Sequence, residues 1–319
     1  MFMEPLFGRP PELEDIFIKL KPSQRAEIDS FMRQLQTDHY SPTTLKQYRF
    51  YLIQFNDYTQ KDLSELSIDD IKQFTAKMSD VGMSGKPIKH TTQKGLYSCL
   101  NSYFIHHKKN EFMLDRTRIR GSDSVPMQIF SPKEINEFFQ KTETVLDLKW
   151  RAMFEFSYWE ALRINDLIQM EVTNINFKNK EVFFAHGKGN KAAKITLLPK
   201  AKDIIELYLA SEFFKTGQKY LFMYEYKKGK KAGTLGQYYV GLIENNFQKI
   251  LLEMGIGGNR TFHSLRHSMG THMMKKLNDL PKVQQHLRHV QGSPVTLRYL
   301  HESKSGFDKS ELDLMGDLT

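Results

Sequence analysis

The sequence predicts a mainly α-helical protein with a small antiparallel β-sheet, arranged as an N-terminal all-α helical-bundle domain followed by an α+β domain. Between residues ~21 and ~112, apolar residues recur every three or four positions, the spacing of helices that bury one face. Two strand-like runs at 181–186 and 194–198 then flank a glycine-containing turn. A length of 319 residues suffices for two domains.

Cap residues mark the helix starts of the N-terminal domain, which we predict to span residues 1–114. Ser41 precedes Pro42, and Ser67-Ile-Asp-Asp70 has the pattern of a capping box, so two helices are expected to begin there. The same periodicity predicts helices over residues ~22–37 and ~91–112. Residues 115–127 are polar, contain three arginines and lack periodicity, and we predict that they form the interdomain linker.

The second domain, residues 128–319, opens with Ser131-Pro132-Lys-Glu134, which combines the cap, the proline and the acidic residue of a helix start. An apolar and aromatic run then predicts a buried helix leading to Ala161-Leu-Arg-Ile-Asn-Asp166. A turn at 176–180 adds a third antiparallel strand. Glycines at the tip of the following hairpin flank Lys188 and allow the backbone to approach a ligand closely.

The first of three short helices near the C-terminus places a cation beside an imidazole. Leu265, Met269 and Met273 recur at helical spacing and form an apolar stripe. His263 and Arg266 lie on a different face, where residues three apart converge on one bound group. The chemistry of this pair suits an anion.

Two further helices add a histidine and a tyrosine. The second helix is expected to start near Pro281 and to deliver His289. Ser293 and Pro294 have the pattern of an N-cap with proline in the first turn, which predicts a third helix carrying Tyr299.

His263-x-x-Arg266, a later histidine and a tyrosine about ten residues on together resemble the active-site box of tyrosine recombinases, the Xer and phage-integrase type. Upstream, Arg163 with Asp166 resembles the first arginine motif of that family, and Lys188 resembles its catalytic lysine. The matches occur in family order and cover most of residues ~130–301. Ala161 and Arg288 stand where the family usually has glycine, and Tyr299 follows His289 by ten residues instead of nine.

The resemblance implies a site-specific DNA recombinase that cleaves and rejoins strands through a covalent 3′-phosphotyrosyl intermediate. Tyr299 would be the nucleophile, and Arg163 and Arg266 would bind the non-bridging phosphate oxygens. Lys188, with Lys191 as its rival, would protonate the departing 5′ oxygen. The roles implied for the two histidines are proton transfer at the tyrosine for His263 and a hydrogen bond to the phosphate for His289.

The composition favours a polyanionic partner, because 46 lysines and arginines exceed 37 acidic residues and give a formal charge of +9. The predicted DNA contacts are Lys86, Lys89, Lys94, Arg116, Arg118 and Lys191, each with a solvated surface position as the alternative. The resemblance further implies double-stranded DNA with inverted-repeat sites, a homotetramer on that DNA, and a C-terminal tail, Asp308 to Met315, that packs on a neighbour.

No cofactor is predicted, because the sequence lacks the GxxxxGK[ST] loop of a nucleotide-binding site. No metal site is predicted either, because Ser264 stands where the glutamate of an HExxH motif would be. Three other functions stay open: a type IB topoisomerase, a DNA-binding protein with a disabled active site, and a metal-dependent hydrolase. Dimer resolution, integration, excision and inversion are not distinguished.

A cytoplasmic, nucleoid-associated protein is expected. Cys99 is the only cysteine, which suits a reducing compartment. No run approaches the ~18 apolar residues of a membrane span, so no membrane partner is predicted.

Overall fold

The computed structural model describes residues 10–82, 87–115, 119, 127–184, 192–229, 231–289 and 315–316. The chain divides into two compact units, Met1–Ser124 and Val125–Thr319. Within the described ranges, no helix has the length and apolar character needed to cross a membrane.

The N-terminal unit is a bundle of helices, two of which start at the predicted cap residues. Its helices are α1 (Pro10–Lys19), α2 (Pro22–Thr37), α3 (Pro42–Thr59), α4 (Ile68–Asp80) and α5 (His90–His106). The Ser41 hydroxyl accepts the Thr44 amide at 3.1 Å, and Ser67 and Asp70 form a reciprocal capping box. Helix α1 was not predicted from the sequence.

Helix α5 ends earlier than predicted. It stops at His106 because Lys108 adopts a left-handed backbone conformation with φ 58°, and a short 3-10 turn covers Asn110–Phe112. Its inward residues, among them Leu96, Leu100 and Phe104, are fully buried in the bundle core.

Cys99 also lies in this core. It is completely buried, and its thiol donates to the Tyr48 carbonyl at 3.6 Å. Burial raises the pKa of the Cys99 thiol well above its ordinary value. The cysteine therefore packs as an apolar group, as its helical position predicted.

The C-terminal unit combines helices with two small antiparallel sheets, which confirms the predicted fold class. Its helices are α6 (Pro132–Val145), α7 (Leu148–Trp159), α8 (Ile164–Gln169), α9 (Pro199–Leu209), α10 (Val240–Glu253), α11 (His263–Leu277) and α12 (Leu280–His286). Strands β1 (Ile175–Asn176), β2 (Glu181–Phe184) and β3 (Ala193–Thr196) form the predicted sheet in the order β1-β2-β3. Val182 lies opposite Ile195 in its register.

A second hairpin was not predicted. Strands β4 (Met223–Glu225) and β5 (Leu235–Gln237) pair antiparallel with Tyr224 opposite Gly236. The sequence between them is rich in lysine, as expected of a basic loop. The strands are only three residues long, so their period-two pattern is too short to recognise.

Helix α11 runs through the middle of the C-terminal unit. Every residue from Ser264 to Met274 is buried, so the predicted single apolar stripe was incomplete. Its buried polar side chains are hydrogen-bonded: the Ser268 hydroxyl donates to the Ser264 carbonyl and accepts the Phe130 amide. Met315, from the tail expected to pack on a neighbour, is 2% exposed and lies in the core of its own unit.

Candidate active site

Arg266 is the more deeply buried of the two predicted site arginines. It projects from α11 and is 1% exposed. Its guanidinium donates one hydrogen bond to the Ala161 carbonyl and another to the Leu287 carbonyl. Ala161 lies in the turn between α7 and α8, and Leu287 directly follows α12. Arg266 therefore joins these two segments to the central helix.

Arg163 lies two residues after Ala161 and is the N-cap residue of α8. Its backbone amide donates to Asp166 Oδ2 at 3.1 Å, and its guanidinium is 3.8 Å from the same oxygen. The Arg163 side chain is 32% exposed. The two arginines of the predicted site thus differ: one is enclosed by protein, and the other reaches solvent.

His263 is the first residue of α11 and is close to both arginines. Burial lowers the pKa of His263 to about 4, and the charges of Arg266 and Arg163 act in the same direction. The His263 ring also packs edge-on against His267, with ring centroids 4.7 Å apart. At neutral pH the imidazole is therefore uncharged and able to accept a proton.

Arg288 occupies a position that the sequence marked only as a departure from the family pattern. Its side chain is 4% exposed and donates to the Glu160 carbonyl at 3.1 Å, the Ala161 carbonyl at 3.2 Å and Asp166 Oδ2 at 2.8 Å. The guanidinium carbon lies 4.0 Å from the ring centroid of Phe184, at the end of β2. Burial lowers the pKa of Arg288, whereas the Asp166 charge raises it.

Two residues of this site have left-handed backbone conformations that favour glycine. Ala161 has φ 47° and Arg288 has φ 51°. A non-glycine residue in this region costs roughly 1–3 kcal/mol and persists where surrounding contacts determine it. Here the carbonyl of the first residue accepts hydrogen bonds from the side chain of the second and from Arg266.

Glu160 adds a buried carboxyl group beside these arginines. Its Oε1 accepts the Leu198 amide at 2.9 Å, and its Oε2 has no hydrogen-bond partner among the residues that the structure describes. Burial raises the pKa of Glu160 to about 8, opposed by the Leu198 hydrogen bond and by the charge of Arg288. The carboxyl group is thus largely protonated at neutral pH.

The structure brings together three of the six predicted catalytic side chains, Arg163, His263 and Arg266. His289 follows Arg288 and is partly buried, and its amide donates to the Gln284 carbonyl at 2.9 Å. The predicted helix that begins at Ser293 lies outside the described residues. The same holds for six predicted site residues: Lys188, Tyr299, Lys86, Arg116, Arg118 and Lys191.

The neighbouring histidines are engaged with protein groups. His272 is hydrogen-bonded to the Tyr158 hydroxyl at 2.7 Å and to the Phe130 carbonyl at 2.8 Å. His286 is 2.7 Å from the Trp159 carbonyl. Among the residues that the structure describes, no group of three or more histidine, cysteine or acidic side chains is placed to hold a metal ion.

Two of the predicted DNA contacts lie in the N-terminal unit at the start of α5. Lys89 is exposed and forms the N-cap position, and Lys94 is half-buried in the next turn. The positive end of the helix dipole adds to their charge. This end of the helix therefore has the electrostatics of a phosphate contact.

Comparison with known proteins places both units in one family. The family model described as phage integrase, N-terminal SAM-like domain, matches residues 28–114, and the one described as phage integrase family matches residues 128–305. A tyrosine recombinase of Thermosipho africanus is 27% identical over 276 residues, which cover 82% of this chain and 89% of the relative. Tyrosine recombinase XerA of Pyrococcus horikoshii is 26% identical over 284 residues, covering 86% and 91%.

The fold has solved counterparts. The structure of a lambda integrase tetramer bound to a Holliday junction is similar with a TM-score of 0.66 and 15% sequence identity, covering 95% of this chain and 84% of that chain. Because one family model alone spans residues 128–305 of the 319, the chain belongs to the phage integrase family. The predicted resemblance to tyrosine recombinases is confirmed.

Proposed function

We propose that Tyr299 of this recombinase attacks a scissile phosphate held by Arg163 and Arg266. Site-specific recombination by DNA cleavage and rejoining is the activity of the family to which the chain belongs. The observation that supports this assignment of residues is the convergence of two arginines and an uncharged histidine around the Ala161 turn. Topoisomerase-like relaxation is not favoured.

The chemistry is a pair of transesterifications. The Tyr299 oxygen bonds to phosphorus as the bond to the 5′ oxygen breaks, which leaves a 3′-phosphotyrosyl link. Arg163 and Arg266 stabilise the charge that develops on the non-bridging oxygens. His263, which is uncharged at neutral pH, accepts the tyrosine proton, and Lys188 protonates the 5′ oxygen. His289 donates a hydrogen bond to the phosphate.

The proposed substrate is double-stranded DNA, and the proposed assembly is a tetramer on that DNA. The N-terminal unit, which we assign to residues 1–114 with a linker at 115–127, contacts DNA phosphates through Lys89 and Lys94, and four copies act on two duplexes with inverted-repeat sites. The similar lambda integrase structure is a tetramer on a Holliday junction, which supports this arrangement. A DNA substrate supports the expected location at the nucleoid in the cytoplasm.

A nicked substrate tests the proposal, because loss of the short strand end prevents rejoining and traps the covalent intermediate. Duplexes selected by binding from a random pool provide the substrate, and EDTA is present throughout. The wild type should form a denaturant-resistant adduct with the 3′ phosphate. Tyr299→Phe should abolish it and keep DNA binding, since only a hydroxyl is removed.

Tyr239→Phe is the matched control, because Tyr239 is an exposed tyrosine of the same unit, and this variant should form the adduct normally. Mass spectrometry should map the adduct to Tyr299. An adduct that survives in Tyr299→Phe, or that requires a divalent metal ion, contradicts the proposed mechanism.

A further inference from the structure

Asp166 is shared by two arginines that hold it at different distances. Arg288 donates to Asp166 Oδ2 at 2.8 Å, whereas the nearest Arg163 guanidinium nitrogen is 3.8 Å from that oxygen. Arg288 is also the more buried of the two, with 4% of its side chain exposed against 32%. The shorter and less solvated contact is the stronger ion pair.

The acceptors around Arg288 require the planar fork of a guanidinium. Two backbone carbonyls, at Glu160 and Ala161, and the Asp166 carboxylate are bound at once, and the Phe184 ring stacks on its face. A lysine ammonium on the same stem reaches the carboxylate without satisfying the other groups. The left-handed backbone at this position, which glycine adopts more easily, is thus accompanied by contacts that only arginine makes.

We propose that Arg288 is a positioning residue for recombination: it serves as the counter-ion of Asp166 and so keeps the Arg163 guanidinium available to the scissile phosphate. This inference rests on the proposed function. Without Arg288, the Asp166 carboxylate has Arg163 as its nearest cation and draws that side chain into an internal ion pair. The same guanidinium connects the turn before Arg163 with the end of α12, next to His289.

Removal of Arg288 should slow cleavage with little effect on DNA binding. Arg288→Met keeps the stem volume and removes the charge. We expect adduct formation on the nicked substrate to fall about 10- to 100-fold, the scale that a misplaced catalytic group produces. The dissociation constant for the same DNA should change less than about threefold, because Arg288 is enclosed by protein.

A second substitution separates counter-ion from packing roles. Asp166→Asn in the Arg288→Met background removes the negative charge that competes for Arg163 and keeps an oxygen to accept the Arg163 amide. The double variant should recover most of the lost rate. Arg288→Lys, which keeps a charge near Asp166, should cleave faster than Arg288→Met. A wild-type rate in Arg288→Met, or a double variant as slow as the single one, overturns the proposal.

A spectroscopic readout needs no cleavage. In the free protein with labelled arginine, the Nε signal of Arg163 should shift in Arg288→Met toward that of a carboxylate-paired arginine, and it should return in the double variant. An Arg163 signal that is indifferent to both changes also overturns the proposal. If the wild type forms no adduct on any DNA, the proposed function fails, and this measurement still decides the role of Arg288.

Discussion

The helices of the N-terminal unit and the central helix of the C-terminal unit bury their side chains in different ways. Helix α4 buries Ile71, Phe74 and Met78 on one side and exposes residues such as Lys72 on the other. Helix α11 buries everything from Ser264 to Met274, polar side chains included. The first pattern leaves a charged face that is not needed for folding. In the second, side chains that we propose for the chemistry are also part of the core.

Because of this difference, we expect substitutions in the two units to have different effects. In the N-terminal unit, exposed cations such as Lys89 can contact phosphates without holding the bundle together. In the C-terminal unit, Arg266 binds two backbone carbonyls inside the core and is also a predicted phosphate ligand. We therefore expect variants of the first kind to change DNA affinity, and variants of the second kind to change reaction rate and stability together.

The largest expected effect concerns the proposed chemistry of the C-terminal unit. Lys188→Ala should slow cleavage of normal DNA about 10²- to 10⁴-fold, the usual contribution of a general acid. A substrate with sulfur in place of the scissile 5′ oxygen should be cleaved nearly normally, because thiolate leaves without a proton. Adduct formation is measured on both substrates. Lys191→Ala is the control. If Lys188→Ala slows cleavage of both substrates equally, Lys188 is excluded as the acid.

The next effect concerns stability. Arg266→Met leaves the Leu287 carbonyl without its buried charged donor and the Ala161 carbonyl with the Arg288 hydrogen bond alone, and we expect a loss of about 3 kcal/mol in the free energy of unfolding. Urea denaturation is followed by tryptophan fluorescence, which reports this unit because Trp150 and Trp159 are the only tryptophans, and by far-UV circular dichroism, which reports both units. Arg33→Met, which removes an exposed arginine from α2, should leave the transition unchanged. An equal shift in the two variants would end the distinction between the units.

A smaller effect is expected from the N-terminal cations. If Lys89 and Lys94 each neutralise one phosphate, replacing both with glutamine should weaken binding on the order of 30-fold at 150 mM salt and reduce the salt slope by about 1.8. The wild type should lose ~10³-fold in affinity between 50 and 200 mM salt if about six phosphates are neutralised. Fluorescence anisotropy measures both slopes.

Lys72→Gln is the control, because Lys72 is exposed beside Asp69 and is not a predicted DNA contact. It should leave the salt slope as it is. If the double variant at Lys89 and Lys94 has an unchanged salt slope, these lysines do not contact phosphates.

The smallest effect is a pH dependence of stability in the C-terminal unit. Burial lowers the pKa of His286 to about 4 from an ordinary value of 6.5. The unfolded chain binds this proton more tightly, so the contribution of His286 is present above pH 6.5 and is lost as the pH falls toward 4. His286→Gln should reduce the loss of stability between pH 7.5 and 5.5 by about 1.4 kcal/mol. His39→Asn, which changes an exposed histidine, should leave the loss of stability between these pH values unchanged. Identical pH profiles for wild type and His286→Gln would contradict the prediction.

Local signals in the sequence predicted several helix starts, whereas tertiary contacts determined features that the sequence did not predict. The caps at Ser41, Ser67 and Ser131 act within four residues, so they are readable without a structure. The end of α5 depends on a left-handed Lys108, which no pattern announced. The full burial of α11 depends on the elements packed around it.

The candidate site divides in the same way. Arg163, His263 and Arg266 were predicted from residue types in family order, and the structure places them near one another. Arg288 was visible only as an arginine in a glycine position. Its role depends on the carbonyl of Ala161 and on other acceptors more than a hundred residues away, which sequence spacing does not reveal.

The reactivity of Cys99 reports how often the core of the N-terminal bundle opens. As the only thiol of the chain, enclosed among Leu96, Leu100 and Tyr103, it is open to alkylation only when the N-terminal core opens. The rate of labelling by a maleimide therefore counts opening events of that core, with no engineered probe. A second cysteine introduced on the surface would react at once and carry a dye, while Cys99 remains unlabelled.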